Sequence, residues 1–120
     1  MRSRGLMVAL DDGALTGSYT GAVNGTASGD SFTLTATFAL SEYLSALTGT
    51  FTTDSGTSGT INGNLSGANV TFTINQTTPC TGTFTGTGSI TNGGARLTGT
   101  YTGASSCTGA VNASFVVNRS

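Results

Sequence analysis

The chain has 120 residues, of which four are Arg and five are Asp or Glu, giving a formal net charge of −1. This length fits one domain with a single modest core. Because there is no Lys and the four Arg are dispersed, the chain lacks the basic patch that binds nucleic acid or an anionic membrane surface.

Composition favours an all-β fold. Twenty-five Thr and nineteen Gly make up over a third of the chain, and Thr is the polar residue that best tolerates a pleated backbone. Aromatic and β-branched residues recur at regular steps between the glycines, which argues against disorder. The longest apolar run, residues 6–10, is far shorter than the about 20 residues that cross a bilayer, so we expect no transmembrane segment.

The first segment, MRSRGLMVALDDG, has a basic head followed by an apolar stretch that is short for a secretory signal peptide. Either a leader has been removed or residues 6–10 form an additional strand. We therefore treat residues 1–13 as an N-terminal extension or extra strand, and residues 14–119 as one domain.

Eight segments then alternate apolar or Gly residues with Thr, Ser or Asn, which is typical of half-buried strands. These predicted strands are residues 15–21, 32–38, 47–52, 60–65, 70–75, 81–88, 97–102 and 111–117.

The connections between the predicted strands are short and rich in turn formers, for example NGTASGD, TDSGTSG and TNGG. Short links require antiparallel neighbours, and a meander with one apolar face removes its free edges by closing. The sequence thus predicts an eight-stranded antiparallel up-and-down β-barrel, with a two-sheet β-sandwich as the alternative. Residues 41–46 (SEYLSA) are the one stretch in which we expect a helical turn.

A Leu-Thr-Gly-x-aromatic-Thr phrase occurs three times, at residues 15–21, 47–53 and 97–103. In each copy Leu, Gly and the aromatic residue share one face of the predicted strand. Interior Gly allows a strand to coil tightly and gives a neighbouring ring room to lie over it. The phrase therefore indicates a way of building a barrel strand rather than a binding motif.

Cys80 and Cys107 each stand at the start of a predicted strand. A disulfide between them would imply an oxidising compartment, and two unlinked core thiols are the alternative. The absence of His and of a Cys-x-x-Cys pair excludes a zinc site. The acids lack the loop spacing of a known calcium motif, so we expect no metal site.

Catalytic chemistry has few candidates. Without His or Lys, neither a Ser-His-Asp arrangement nor a lysine nucleophile can form. All five acids fall in predicted turns or links: Asp11, Asp12, Asp30, Glu42 and Asp54. We expect no enzymatic activity, no catalytic residues and no cofactor.

An eight-stranded barrel is filled by side chains or holds one small ligand. Tyr19, Phe51, Phe84 and Tyr101 are the candidate ligand-binding residues because they bring aromatic rings to the predicted interior. The two Tyr hydroxyls would need hydrogen-bond partners there.

The stretch DGALTGSYTGAV, residues 12–23, resembles the second strand of the avidin–streptavidin family. The resemblance implies an eight-stranded barrel with a ligand cavity at its mouth, and it matches Tyr19 to the Tyr that contacts the ureido oxygen of biotin. The family's Ser two residues later is Gly21 here, and this chain has no Trp for the family's cavity walls.

Residues 80–119 are similar to Gly/Thr-rich β-barrel domains of uncharacterised secreted and lipoprotein-type bacterial proteins, which often place a Cys before GTFTGTG and another after GTYSG. This resemblance implies an extracellular, periplasmic or cell-surface setting and supplies no catalytic residues.

Two functions follow as hypotheses. The first is a non-enzymatic extracytoplasmic barrel that binds a small apolar ligand in its interior. The second is a structural or self-assembling surface module that forms homo-oligomers through its N-terminal strand or its Thr-rich outer face.

Overall fold

The computed structural model describes residues 15–119, which form eight strands and one short 3-10 helix at Asn92–Gly94. The strands are β1 (Gly17–Ala27), β2 (Asp30–Tyr43), β3 (Ala46–Thr53), β4 (Ser58–Ser66), β5 (Asn69–Thr78), β6 (Gly82–Thr91), β7 (Arg96–Ser105) and β8 (Gly109–Arg119). Among these residues, no helix has both the length and the apolar character needed to span a membrane.

The eight strands form a closed antiparallel barrel in sequence order. Each strand pairs with the next along the chain, and β8 closes the barrel by pairing with β1. The predicted up-and-down barrel is confirmed, and the alternative β-sandwich is wrong. Within the described chain every strand is paired on both sides, so none of the eight offers a free edge.

The register of the sheet has a stagger of ten residues. A path of paired residues that leaves β1 at Gly17 passes through Leu40, Ile74 and Val111, and it returns to β1 at Ala27. Such a stagger tilts the strands against the barrel axis and coils each of them.

The two faces of each strand follow the predicted alternation. In β2, Ala36, Phe38 and Leu40 are buried inside the barrel, whereas Thr35 and Ala39 on the same strand are exposed. The same pattern repeats around the barrel, so the interior is apolar and the outer wall carries mainly Thr, Ser and Asn.

Two copies of the repeated phrase lie on β3 and β7, and the first copy begins two residues before β1 and continues into it; these three strands all run in the same direction. Their leucines, Leu15, Leu47 and Leu97, are buried at one end of the barrel. We call this end, which also contains the β2–β3 turn and Arg119, the packed end. The opposite end, which carries the β3–β4, β5–β6 and β7–β8 connections, is called the cavity end.

Interior glycines receive aromatic rings, although of the three glycines in the repeated phrase only Gly99 does. A Cβ placed on Gly86 would stand 2.8 Å from the Cζ atom of Phe72, and one on Gly59 would stand 2.8 Å from a ring carbon of Phe51. Both distances are well inside van der Waals contact, so glycine is required where the rings fold over the coiled backbone.

Residues 41–46 do not form the predicted helical turn. Strand β2 continues to Tyr43, which pairs with Ala46, and this leaves a two-residue turn at Leu44 and Ser45 with positive φ at both residues. The Glu42 carboxylate accepts a hydrogen bond from the Ser45 backbone N–H at 3.0 Å. This local hydrogen bond and the strand register override the composition that suggested a helix.

Strand β1 is longer than predicted. The segment NGTASGD was expected as a connection, but β1 extends through Ala27 and a two-residue turn at Ser28 and Gly29 leads into β2. Asn24 lies opposite Thr33, whose hydroxyl donates to the Asn24 side-chain oxygen at 2.8 Å. The predicted N-terminal extension, residues 1–13, and its possible strand at residues 6–10 lie outside the described residues.

Candidate functional site

A cavity of about 320 Å³ occupies the half of the barrel interior next to the cavity end. It reaches from the middle of the barrel to the loops, since residues of the β3–β4, β5–β6 and β7–β8 connections contribute to its wall. A cavity of this size is at the lower end of the range for small-molecule sites.

The wall of the cavity is predominantly apolar. Its aromatic and aliphatic members on the strands are Val23, Ala27, Phe32, Leu34, Ala36, Phe38, Phe51, Ile74, Phe84, Tyr101 and Val111. They are the inward-facing positions of seven strands, placed there by the period-2 alternation of each strand.

Three of the four predicted ligand-binding residues come together at this cavity. Phe51, Phe84 and Tyr101 all line it, and the rings of Phe84 and Tyr101 meet edge to face with centroids 5.5 Å apart. Edge-to-face contact of this kind fixes the orientation of both rings. The structure therefore places these residues where a ligand in the barrel interior would touch them.

Tyr19 lies elsewhere. It is fully buried towards the packed end and is absent from the cavity wall. Its hydroxyl donates to the Gly94 carbonyl at 2.5 Å and accepts from Nη2 of Arg119 at 2.7 Å, and the Arg119 guanidinium stands 5.3 Å from the centre of the Tyr19 ring. These contacts join the 3-10 helix, β1 and β8 at the packed end.

Polar side chains interrupt the apolar wall. Five of them are hydroxyls in or beside the loops, on Thr53, Ser55, Thr57, Ser105 and Thr108, and the other two belong to Tyr101 and Gln76. Within residues 15–119, neither the Tyr101 hydroxyl nor the Gln76 carboxamide has a hydrogen-bonding partner, although both residues line the cavity and are half-buried. Burial raises the pKa of the Tyr101 phenol above its ordinary value of 10.0, because the apolar surroundings disfavour the phenolate. Tyr101 is therefore a neutral donor and acceptor at physiological pH.

Charged side chains are kept away from the cavity wall. Of the described charged residues, none lines the cavity. Arg96 and Arg119 lie towards the packed end, whereas Asp30 and Asp54 lie at the cavity end. Asp54 is exposed, and its carboxylate accepts a hydrogen bond from the Thr35 backbone N–H at 3.1 Å.

The Cys80–Cys107 disulfide is confirmed, with the two Cα atoms 5.8 Å apart. It joins the β5–β6 loop to the β7–β8 loop, and both cysteines contribute to the cavity wall. The same two loops also exchange hydrogen bonds between Thr81 and Ser106, one from each backbone N–H. The disulfide therefore braces one side of the cavity mouth.

The described part of the chain contains no cluster of residues that could hold a metal ion and no facing pair of catalytic acids. No three His, Cys, Asp or Glu residues of this part come together. The buried Glu42 lies towards the packed end, away from Asp30 and Asp54, so these carboxylates do not face one another across the cavity.

Sequence reasoning missed several residues of the cavity wall. Gln76 was left outside the predicted strand that ended at residue 75, although it continues the inward series Val70, Phe72 and Ile74. Pro79 and Thr108 lie in loops, where no periodic signal identifies residues that fold over the mouth.

Comparison of the chain with models of known protein families and with curated proteins finds no match, so no ligand or activity is carried over from a relative.

Proposed function

We propose that this protein is a non-enzymatic extracytoplasmic β-barrel that binds a small apolar molecule in its interior. The observation that carries the proposal is the cavity of about 320 Å³, which is walled mainly by apolar side chains and reaches the loops at one end of the barrel. Leaving apolar surface uncovered costs stability, and a ligand that fills the space recovers it.

The contrast between the two ends of the barrel supports a site at the cavity end. Leu15, Tyr19 and Val117 are fully buried towards the packed end. At the cavity end the interior positions of Phe32, Leu34 and Tyr101 are only half-buried. The interior is thus closed to solvent at the packed end and more accessible behind the loops at the cavity end.

The disulfide and the nearly uncharged, Thr-rich outer wall support the extracytoplasmic part of the proposal. A disulfide persists in an oxidising compartment and is rare in the reducing cytosol.

A fluorescent neutral probe tests the binding proposal. N-phenyl-1-naphthylamine gains fluorescence when it leaves water, and a titration with the protein should give a saturable increase with one site per chain. The matched variants are Leu34→Trp, which adds an indole to the cavity, and Thr35→Trp, which adds it to the outer wall one residue further on. We expect Leu34→Trp to weaken binding at least tenfold and Thr35→Trp to leave it within twofold of the wild type.

Circular dichroism and thermal melting establish that both variants keep the barrel. No saturable signal from the wild type, or equal weakening by the inward and outward Trp, would overturn the proposal.

The assembly hypothesis has less support among the described residues. Strand addition needs a free edge, and each of the eight strands is paired on both sides. Homo-oligomers would then have to form through the outer face or through residues outside the described range. Light scattering after size exclusion at high concentration tests this alternative, because a monomer throughout would exclude it.

A further inference from the structure

We propose that the cavity selects an uncharged ligand that carries one hydrogen-bonding group, and that Tyr101 and Gln76 are the residues that recognise this group. This inference rests on the proposed binding function and specifies the chemical class of the ligand.

The apolar cavity wall disfavours a charged ligand. A carboxylate or ammonium moved from water into an apolar cavity loses its hydration, and only an opposite charge or several hydrogen bonds can compensate. The described part of the cavity wall offers no charged partner. The described cations, Arg96 and Arg119, are at the other end of the barrel.

Anions meet a second obstacle. The charged residues described at the cavity end are Asp30 and Asp54, both exposed and both negative. Like charges repel, so these two carboxylates disfavour the approach of a carboxylate, sulfonate or phosphate. A cation is not repelled there, but it would still lose its hydration on entering the apolar interior.

Tyr101 and Gln76 can each form hydrogen bonds with a polar group of the ligand. The Tyr101 hydroxyl can donate and accept, and the Gln76 carboxamide supplies two donors and an acceptor. Within residues 15–119 neither group is used by the protein. A polar group on the cavity wall without a protein partner must be satisfied by water or by a ligand. An alcohol, ketone or amide group complements both side chains.

Tyr101 and Gln76 lie at the cavity rather than on the outer wall of the barrel. Tyr101 lies in the ring cluster, with its centroid 5.5 Å from that of Phe84 and 6.3 Å from that of Phe115. Gln76 follows Ile74 along the inward face of β5 towards the cavity end. Both residues therefore line the same cavity as the aromatic wall, where a ligand in the barrel interior would lie.

Four ligands on one naphthalene skeleton separate charge from hydrogen bonding. They are 2-methylnaphthalene, 2-naphthalenemethanol, 2-naphthoate and 2-naphthylmethylammonium, which have nearly the same size. Each is titrated against the complex with N-phenyl-1-naphthylamine, and its affinity is read from the loss of fluorescence. We expect the alcohol to bind at least tenfold more tightly than either ion.

Tyr101→Phe and Gln76→Leu test the hydrogen-bonding residues. Each should weaken binding of the alcohol by about three- to tenfold, as the loss of one hydrogen bond predicts, and leave 2-methylnaphthalene within twofold. Tyr43→Phe is the matched control, since Tyr43 is exposed beside the β2–β3 turn at the packed end. It should change neither affinity.

The outcomes distinguish this inference from the proposed function. If the neutral and charged ligands bind equally well, the cavity binds apolar molecules but the selection against charge is wrong. If the alcohol and the hydrocarbon respond equally to Tyr101→Phe and Gln76→Leu, the assignment of the two residues is wrong. If none of the four ligands nor the probe binds, the proposed function itself fails.

Discussion

The ring of Phe72 lies over the backbone of Gly86 on the adjacent strand. The two residues are paired across β5 and β6, and a Cβ on Gly86 would stand 2.8 Å from Cζ of Phe72 and 2.8 Å from Cβ of Tyr101. It would also collide with the Thr100 carbonyl oxygen, which belongs to the backbone and cannot rotate away. The aromatic interior and the coiled strands are therefore two parts of the same packing.

Gly86→Ala should destabilise the barrel by about 1–3 kcal/mol, the usual cost of forcing extra volume into a packed interior. Urea unfolding followed by circular dichroism measures the change. Gly88→Ala on the same strand is the control, because its Cβ would meet the Thr98 carbonyl at 2.7 Å and otherwise only a Leu97 methyl at 3.4 Å. A larger loss for Gly88→Ala than for Gly86→Ala would contradict this account of the ring packing.

Tyr19→Phe should lower stability by about 1–3 kcal/mol while leaving the affinity for N-phenyl-1-naphthylamine unchanged. The substitution removes the hydroxyl between the buried Gly94 carbonyl and Arg119, and a buried acceptor that loses its donor is costly. Affinity is unaffected because Tyr19 is not part of the cavity wall.

Chemical unfolding and a probe titration on the same sample measure both quantities. Tyr43→Phe, with a side chain 67% exposed, is the control and should change stability by less than about 0.5 kcal/mol. If Tyr19→Phe instead weakened probe binding at unchanged stability, Tyr19 would be part of the ligand site after all.

The barrel could be predicted from the sequence because the patterns that specify it lie within single strands and the connections between them. Alternation of period two marked all eight strands, and short connections required antiparallel neighbours. Where prediction failed, a tertiary relation decided the outcome. Residues 41–46 form a hairpin because Tyr43 pairs with Ala46 and Glu42 binds the Ser45 N–H, and neither contact is visible in composition.

The site was harder to predict than the fold, because strand alternation gives the face of a residue but not its height in the barrel. Tyr19 and Tyr101 occupy the same position in two copies of one phrase. The ten-residue stagger of the closed sheet sets β7 and β1 at different heights, so Tyr101 reaches the cavity and Tyr19 lies towards the packed end. That stagger becomes known only when all eight registers are known.

Replacing both Cys80 and Cys107 with Ala should destabilise the protein by roughly 3 kcal/mol, the value expected in the chain-entropy view for a bridge between residues 27 apart. It should also accelerate release of N-phenyl-1-naphthylamine, since the bridge braces two loops of the cavity mouth. Stopped-flow dilution of the complex measures the release rate.

Oxidised wild-type protein and wild-type protein treated with a reductant bracket the expected behaviour, and the reduced form should resemble the double variant. A release rate that is the same in all three samples would show that the mouth does not depend on the bridge.

Stability should fall as the pH rises above about 10, and Tyr101 should account for part of the fall. Burial raises the pKa of Tyr101 above 10.0 in the folded barrel, whereas in the unfolded chain the phenol ionises near its ordinary value. Above that value the unfolded state releases the proton before the folded state does, so rising pH favours unfolding. Below it Tyr101 is neutral in both states and adds no pH dependence.

Tyr101→Phe removes this contribution, so its free energy of unfolding should decline less steeply than that of the wild type between about pH 10 and pH 11.5. Guanidinium titrations at several pH values, read by circular dichroism without reductant, measure the two slopes. Between about pH 7 and pH 9 the difference between the two proteins should stay constant, which serves as the internal control. An equally steep decline of the free energy of unfolding in both proteins above pH 10 would mean that Tyr101 ionises as readily in the folded barrel as in the unfolded chain. The surroundings of Tyr101 in the cavity would then have to be hydrated rather than apolar.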